Sequence, residues 1–412
     1  MKNKIILAIF CAALLCGAAV VALPGDPDSV LSENRTPATL MPITAETLSS
    51  GEIASNFEEF LGDNMWLRSA LISTAGRIAR AKGIDSSLGK IVPTNKDIGT
   101  SVSQKSSLLV SHDTVMEVFI KNPSAEKKYV QMLNTLADEF KDKKIYSMLV
   151  PTQLTFCEPV YANIQDSQKE TIDYIYTHSD ERINKVDAYD MLKENKDKYL
   201  YFRTDHHWTV MGAYYGYCAF LKSASGDGNY EIKTEKKDDP FRLEEFENIV
   251  PDGLKKHTIN DFYGSLYAQA DTPSLSPDTV EWYDTDPNGK VTIKHYGFED
   301  GKPISYDGKL FDTDKKNYSV FLSGDHQLSV IDNANVRNGK TILIIKDSYT
   351  NAFVSWLTNN YERIILLDPR AYRGGIKDVV EKYNPQEIMV MNYIFTSTFE
   401  DYSETIMDLI KK

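Results

Sequence analysis

The sequence is poor in cysteine: it contains four, and only Cys157 and Cys218 lie outside an apolar stretch near the amino terminus. At most one disulfide could therefore form in the main part of the chain, which excludes a small disulfide-stabilised scaffold. Two buried thiols are the preferred prediction for this pair. The cysteines also lack the close spacing of structural zinc sites, so no metal is predicted from them.

Positive charge is also in deficit, since 46 lysines and arginines are outnumbered by 59 aspartates and glutamates, for a formal net charge of -13. Nucleic acids and anionic lipid surfaces attract basic proteins, so neither is predicted as a partner. A neutral or weakly charged substrate fits this composition better. The sequence also lacks repeats at the periods that solenoid proteins use, which excludes that architecture.

One long apolar run is present, at the amino terminus. Residues 5–23 follow Met-Lys-Asn-Lys and contain no charged side chain. At about 1.5 Å per residue, a helix of this length crosses roughly 30 Å of hydrocarbon, with the lysines on the cytoplasmic side. Residues 1–31 are therefore predicted to be an uncleaved single-pass anchor, or a signal peptide, together with a linker. The rest of the chain would be extracytoplasmic, and secreted if the segment is cleaved.

The pattern of the remaining residues, 32–412, favours one large α/β domain. Short apolar strands alternate with amphipathic helices, which is typical of a parallel sheet covered by helices on both faces. We expect a flavodoxin-like, three-layer, mostly parallel sheet. Strands are predicted at residues 144–150, 341–345, 363–368 and 387–392, and helices are predicted at 348–359, at 376–383 and from Pro123 onward.

The segment between about residues 225 and 335 has a different texture, rich in Asp, Lys and turn residues. Asn288-Gly289, Asp300-Gly301 and Asp307-Gly308 separate short stretches within it. Asn-Gly and Asp-Gly pairs are strong hairpin signals. We therefore predict a β-rich insertion on the α/β core.

Two motifs supply an acid, a base and a hydroxyl. Asp205-His206-His207-Trp208 precedes an apolar helical pattern, and Ser348 follows His207 by 141 residues. A serine becomes nucleophilic when a histidine removes its proton, and a carboxylate orients that histidine and stabilises the imidazolium. The two histidines need different partners, because adjacent side chains cannot point the same way. A metal site is the rival interpretation, but no further His or Cys cluster completes it nearby.

Ser348 is predicted to lie where a buried strand leads into a helix. There the unpaired N–H groups of the first turn and the helix dipole stabilise an oxyanion on a bound acyl group. The alternative is that Asp347 or Ser348 simply caps the helix, the commonest role of these residue types at that position.

Further candidates for contacting the substrate or an oxyanion come from the strand ends. In open α/β sheets, sites form beyond the carboxyl ends of the strands, where Asn392, Arg370 and Gln153 fall. Tyr349 and Trp208 adjoin the two main motifs. Each has an ordinary alternative as well: turn-forming amides, a solvated arginine and core aromatics.

These motifs resemble the DHHW proteins, relatives of the periplasmic alginate O-acetylation proteins with a permuted SGNH-hydrolase-like domain. The likeness covers most of the chain. The blocks that carry it are Thr204-Asp205-His206-His207-Trp208-Thr209, Lys346-Asp347-Ser348-Tyr349, Glu33-Asn34-Arg35, residues 63–68, Val150-Pro151-Thr152-Gln153 and Phe262-Tyr263-Gly264-Ser265-Leu266. In the alginate relatives the motif is Asp-x-His-Trp, so the role of the base carries over to His207, and His206 takes the variable position.

The resemblance implies a function. It implies that Asp205 orients His207, that His207 is the base, and that Ser348 takes an acetyl group and passes it to a cell-surface or exported polysaccharide. The implied acetyl donor is a membrane-bound acyltransferase, since a domain outside the membrane cannot reach cytosolic acetyl-CoA, and no cofactor is required. Two other functions stay open: a carbohydrate O-acetyl esterase with the same three residues, and a non-catalytic, membrane-anchored glycan-binding or assembly factor.

Overall fold

The computed structural model describes residues 38–66, 68, 71, 74, 78, 90–93, 107–157, 161, 163–226, 231–270, 275–299 and 302–412. The predicted anchor in residues 1–31 lies outside the described residues. Among the helices of the described part, none is long and apolar enough to cross a membrane.

Helices and strands alternate through most of the described chain. The strands are β1 (Lys90–Pro93), β2 (Ser107–Ser111), β3 (Thr114–Glu117), β4 (Lys144–Val150), β5 (Ile183–Lys185), β6 (Lys256–Phe262), β7 (Asp278–Tyr283), β8 (Val291–Glu299), β9 (Lys302–Gly308), β10 (Leu328–Asn333), β11 (Thr341–Lys346), β12 (Arg363–Leu367) and β13 (Glu387–Tyr393). The α-helices are α1 (Ala45–Ser49), α2 (Glu52–Asp63), α3 (Pro123–Glu139), α4 (Gln168–His178), α5 (Ala188–Glu194), α6 (Val210–Ser225), α7 (Tyr267–Ala270), α8 (Thr350–Leu357), α9 (Ile376–Tyr383) and α10 (Glu400–Lys411).

An eight-stranded sheet forms the centre, in the order β5-β4-β13-β11-β12-β10-β8-β9. The five strands from β5 to β12 pair in parallel. Strands β10, β8 and β9 continue the sheet in antiparallel pairs. The predicted α/β sheet is confirmed, and its antiparallel edge makes it mixed rather than purely parallel.

The burial of β11 explains why the centre of the sheet reads as continuous apolar sequence. Its residues Ile342 to Ile345 are fully buried although successive side chains point to opposite faces, so both faces are covered. The covering helices pack in two groups: α3 contacts α4 and α10, and α6 contacts α5 and α8. This arrangement leaves the ends of the parallel strands as the place where polar side chains can gather.

The turn signals between residues 225 and 335 were only partly informative. Strands β8 and β9 pair across Asp300-Gly301, as predicted. The hairpin prediction at Asn288-Gly289 is wrong, because β7 pairs with β6 while β8 joins the central sheet, and the turn moves the chain between the two. The hairpin prediction at Asp307-Gly308 is also wrong, because β9 ends there as the last strand of the central sheet and pairs with β8. Gly308 packs closely on β8: an added Cβ would lie 2.2 Å from the His295 Nε2.

The two cysteines of the described residues are not joined in a disulfide. Cys218 is a buried thiol on α6, and Cys157 is a partly buried thiol that contacts the Met116 sulfur. The prediction of two thiols is therefore confirmed, except that the second is not fully enclosed.

Candidate active site

The Asp-His-His-Trp motif lies on a tight loop before α6. Backbone bonds from Phe202 N to His207 O and from Thr209 N to Leu200 O close this loop. The Thr209 hydroxyl accepts from Gly212 N and caps the helix. Gly212 is needed because a Cβ there would lie 2.3 Å from the Leu200 carbonyl oxygen. The loop therefore presents its acidic and imidazole side chains at a fixed position.

The serine lies in a turn between β11 and α8, which begins at Thr350 rather than at the predicted residue 348. The Asp347 carboxylate accepts from Tyr349 N at 3.0 Å and from Tyr393 N at 2.7 Å, so Asp347 holds the turn. Burial raises the pKa of Asp347 to about 6. Ser348 does not cap the helix with its side chain, and it is partly exposed.

A line of hydrogen bonds joins the two motifs. His207 Nε2 lies 2.7 Å from Ser348 Oγ, and His207 Nδ1 lies 2.6 Å from Asp205 Oδ1. The imidazole and the carboxylate are buried. This is the arrangement in which a carboxylate fixes the tautomer of a histidine and the histidine can remove a serine proton.

The charge on Asp205 is stabilised within the site. Burial alone would raise its pKa, but the electrostatic influence of the His207 and His206 imidazoles and hydrogen bonds from His207 and Ser265 N hold this pKa well below its usual range. Gly264 makes the approach of the Ser265 N–H possible, since an added Cβ would lie 2.1 Å from the Asp205 Cβ. The carboxylate is therefore ionised and firmly held.

His206 has a different partner from His207. Its Nδ1 lies 2.8 Å from Ser265 Oγ, and its ring lies 3.8 Å from the His207 ring. Burial, followed by the proximity of His207, lowers the pKa of His206 to about 3. His206 is therefore neutral at neutral pH.

A metal would have to compete with these bonds. Within the described part of the chain, donor atoms of Asp205, His206 and His207 lie within 4.8 Å of one another. Both ring nitrogens of His207 are already paired, with Asp205 and with Ser348. The hydrogen-bonded interpretation accounts for every polar atom of His207.

Two of the weaker candidates are occupied elsewhere. Asn392 is fully buried; its Oδ1 accepts from Tyr129 and its Nδ2 donates to Tyr402 at 2.6 Å, so it belongs to the core and does not join Ser348. Arg370 makes two bonds to Asp368 and one to Asp325. Its charge is therefore already balanced by two carboxylates.

The two aromatic candidates, Trp208 and Tyr349, lie in the core next to the site. Trp208 is fully buried and donates from its indole N–H to the Tyr349 carbonyl oxygen at 2.9 Å. Tyr349 is also fully buried, and its hydroxyl donates to the His206 carbonyl oxygen. The core interpretation therefore describes both. Gln153 is half-buried at the start of a 3-10 helix, Gln153–Phe156, just after β4.

Sequence reasoning missed Tyr318, whose ring stacks on His207 with centroids 3.8 Å apart and planes 11° apart. It lies in a 3-10 helix, Tyr318–Val320, far from His207 along the chain. No local pattern marks it, because the contact exists only in the folded protein.

Comparison with known proteins shows which family this chain resembles. The family model described as DHHW protein matches residues 81–367. No curated protein matches the sequence. The crystal structure of a DHHW family protein from Eubacterium siraeum is similar, with a TM-score of 0.61 and 23% identity over 76% of this chain and 97% of that one.

Two solved structures with other names are also similar to this chain. PatB1 from Bacillus cereus with a sulfonyl adduct has a TM-score of 0.58 and 18% identity, over 73% of this chain and 98% of that one. The O-acetyltransferase domain of Pseudomonas putida AlgJ is more distant, with a TM-score of 0.41 and 11% identity, over 72% of this chain and 96% of that one. The SGNH-hydrolase-like fold expected from the motifs is confirmed, and the chain belongs to the DHHW protein family.

Proposed function

We propose that this protein is a serine-dependent O-acetyltransferase that modifies a cell-surface or exported polysaccharide outside the cytoplasm. The observation that carries the proposal is the hydrogen-bonded line from Asp205 through His207 to Ser348. Ser348 at its end is a partly exposed residue, while the base and the carboxylate are buried. An acyl donor can therefore reach the nucleophile without disturbing the groups that activate it.

The first half of the proposed reaction acetylates Ser348. His207 Nε2 takes the hydroxyl proton as Ser348 Oγ attacks the acetyl carbonyl, and the ionised Asp205 stabilises the imidazolium. The backbone N–H of Ser348, which has no acceptor among the described residues, is a suitable donor to the oxyanion. Collapse of the tetrahedral intermediate returns the proton from His207 to the leaving group and leaves acetyl-Ser348.

The second half passes the acetyl group to a sugar. His207 removes the proton of a sugar hydroxyl, the hydroxyl oxygen attacks acetyl-Ser348, and the proton returns to Ser348 Oγ as the ester bond to the enzyme breaks. The implied donor for the first half is a membrane-bound acyltransferase, kept close by the amino-terminal segment. The reaction as proposed requires no metal or nucleotide.

The test is intact-mass measurement of the purified full chain after brief incubation with p-nitrophenyl acetate. We expect a mass gain of one acetyl group, about 42 Da, in the wild type, and none in Ser348→Ala or His207→Ala. His257→Ala is the matched control, because that imidazole stacks on Trp282 outside the site, and it should be acetylated like the wild type.

The same experiment separates the remaining functions. Acetylation that is lost to water with no gain when oligosaccharides are added would favour the esterase. Folded wild-type protein that gains no acetyl group and releases no p-nitrophenol would favour the non-catalytic glycan-binding factor. PatB1 has been captured with a sulfonyl adduct, so a sulfonyl fluoride is a suitable second probe of Ser348.

A further inference from the structure

We propose that Tyr318 is a positioning residue that fixes His207 and Ser348 relative to each other through one side chain. The inference rests on the proposed function, because it assigns a role within that reaction. It concerns residues 317–327, the last part of the connection between β9 and β10, which we call the Tyr318 strap.

The ring of Tyr318 restrains the proposed base. It lies nearly parallel to the His207 imidazole at a centroid distance of 3.8 Å, and both side chains are buried. The His206 ring lies at the same distance from His207. An imidazole in contact with two rings cannot rotate freely, so Nε2 stays directed at Ser348. An electron-rich ring against the imidazole also favours the imidazolium that forms during proton transfer.

The hydroxyl of Tyr318 restrains the nucleophile's backbone. It donates to the Ser348 carbonyl oxygen at 3.1 Å and lies 3.4 Å from the Tyr349 carbonyl oxygen. One side chain therefore contacts both the base and the turn that carries the nucleophile. A core tyrosine with only a packing role would have no need for this pair of contacts.

The strap is itself fixed to the serine turn. Asp325 accepts from Lys346 at 2.5 Å, from Asn351 at 2.9 Å and from Arg370 at 2.7 Å. Burial would raise the pKa of Asp325, but the charges of Lys346 and Arg370 hold it well below its usual range. The carboxylate is therefore ionised and joins the strap to the residues on both sides of Ser348. This also gives Arg370 a role: it anchors the strap instead of holding substrate.

Two substitutions separate the ring from the hydroxyl. Tyr318→Leu removes both, whereas Tyr318→Phe keeps the stacked ring. We expect Tyr318→Leu to slow modification of Ser348 by a sulfonyl fluoride about 5- to 30-fold, the size of one cation–π contact. The acid limb of its pH–rate profile should also move to lower pH by about half a unit or more, because the imidazolium loses its stacked partner. Tyr318→Phe should keep the wild-type acid limb and lose only part of the rate.

The measurement follows the full chain by intact mass across pH, with thermal melting to establish folding. The titratable groups of the described residues that face His207 are Asp205, His206, Tyr318 and Tyr349, and the variants change only one of them. Phe311→Leu is the control, since it removes a nearby ring that packs on Trp282 and Phe321.

The outcomes are distinct. If folded Tyr318→Leu keeps the wild-type rate and the wild-type acid limb, the inference is overturned and the proposed function stays intact. An equal loss in Phe311→Leu, or a fall in the Tyr318→Phe rate with the same acid-limb shift as Tyr318→Leu, would also overturn it. No modification of the wild type at Ser348 would overturn the inference and the proposed function together.

Discussion

Asp205 is the residue whose environment defines the site's charge. Its carboxylate is fully buried yet ionised, because His207 and the N–H of Ser265 bond to it. In the proposed reaction, proton transfer forms an imidazolium at His207. Among the described residues, Asp205 is the one carboxylate bonded to that ring. In the proposed reaction, Asp205 is therefore as important as His207.

Asp205→Asn removes this charge while keeping the shape of the side chain. We expect the rate of Ser348 acetylation to fall about a thousandfold or more, since a neutral amide stabilises the wrong tautomer of His207. The measurement is the rate of p-nitrophenol release in the first turnover. Asp332→Asn, which breaks a surface pair with Arg363, should leave that rate within about twofold.

Glu117 is a buried carboxyl that the proposed reaction does not use. Burial, and then the charge of Asp205, raises its pKa from 4.5 to about 8. Its Oε1 has no hydrogen-bond partner among the described residues. Because the pKa is raised on folding, Glu117 favours the folded state fully below pH 4.5, and this contribution is lost as pH rises through about 8.

Glu117→Gln should therefore stabilise the protein increasingly as pH rises. We expect the free energy of unfolding of the variant to exceed that of the wild type by about 2 to 4 kcal/mol at pH 8 to 9 and to approach it near pH 4.5. Denaturant unfolding at several pH values measures this difference. A difference that does not change with pH would contradict it, and Glu281→Gln, at a partly exposed carboxylate paired with Lys256, is the control.

At the scale of elements, the loop between β6 and α7 positions the acid. Gly264 in this loop packs against Asp205 so closely that an added Cβ would lie 2.1 Å from its Cβ and 2.6 Å from its Cα. The backbone bond from Leu266 N to Thr204 O joins the same two segments. A side chain at residue 264 must therefore push the loop away from the motif.

Gly264→Ala should disturb stability and acetylation together. We expect a loss of about 1 to 3 kcal/mol in the free energy of unfolding, the usual cost of overpacking, and slower labelling of Ser348 in the molecules that remain folded. Gly62→Ala on α2 is the matched control, because nothing lies within 4 Å of its Cβ position. A helical alanine there should be neutral or slightly stabilising. Equal effects of the two substitutions would disprove the packing argument.

Elements set by local pattern were predictable from the sequence. Apolar runs bounded by polar residues located β4 and α9 at the residues where the structure has them. The pairing of β8 was not predictable, because Asn288-Gly289 marks a turn without saying which strands it joins. The contact of Tyr318 with His207 could not be predicted from the sequence either, since long-range stacking and the hydrogen bonds of Asp325 produce no periodic pattern of residues. Asn392 was misleading: a strand-end amide serves the core as readily as a site.

At the scale of the whole molecule, the mixed sheet brings the site together at the carboxyl ends of its parallel strands. Strand β11 carries Ser348 there, and the neighbouring strand β13 ends at Tyr393, whose N–H bonds Asp347. The loop with the Asp-His-His-Trp motif and the Tyr318 strap reach these strand ends from other parts of the chain. The order in which the proposed base and the proposed nucleophile occur in the sequence is therefore immaterial to the geometry of the site.

The amino-terminal segment is predicted to determine location and not chemistry. Deleting residues 1–31 should move the protein from the membrane fraction to the soluble fraction, because the apolar run at 5–23 is the predicted anchor. Acetylation by p-nitrophenyl acetate should be unchanged, since every residue of the proposed site lies beyond residue 200. Replacing three alanines of the run with lysine is a second test, and continued membrane association of either variant would contradict the prediction.

The central claim is that Ser348 itself carries the acyl group, and peptide mapping after rapid quenching tests this most directly. Trypsin cleaves after Lys346 and Arg363 and releases a peptide that holds both Ser348 and the buried Ser355. Fragmentation of that peptide should place the acetyl group on Ser348 and leave Ser355 unmodified. An acetyl group on another residue, or none from folded wild-type protein, would contradict the account.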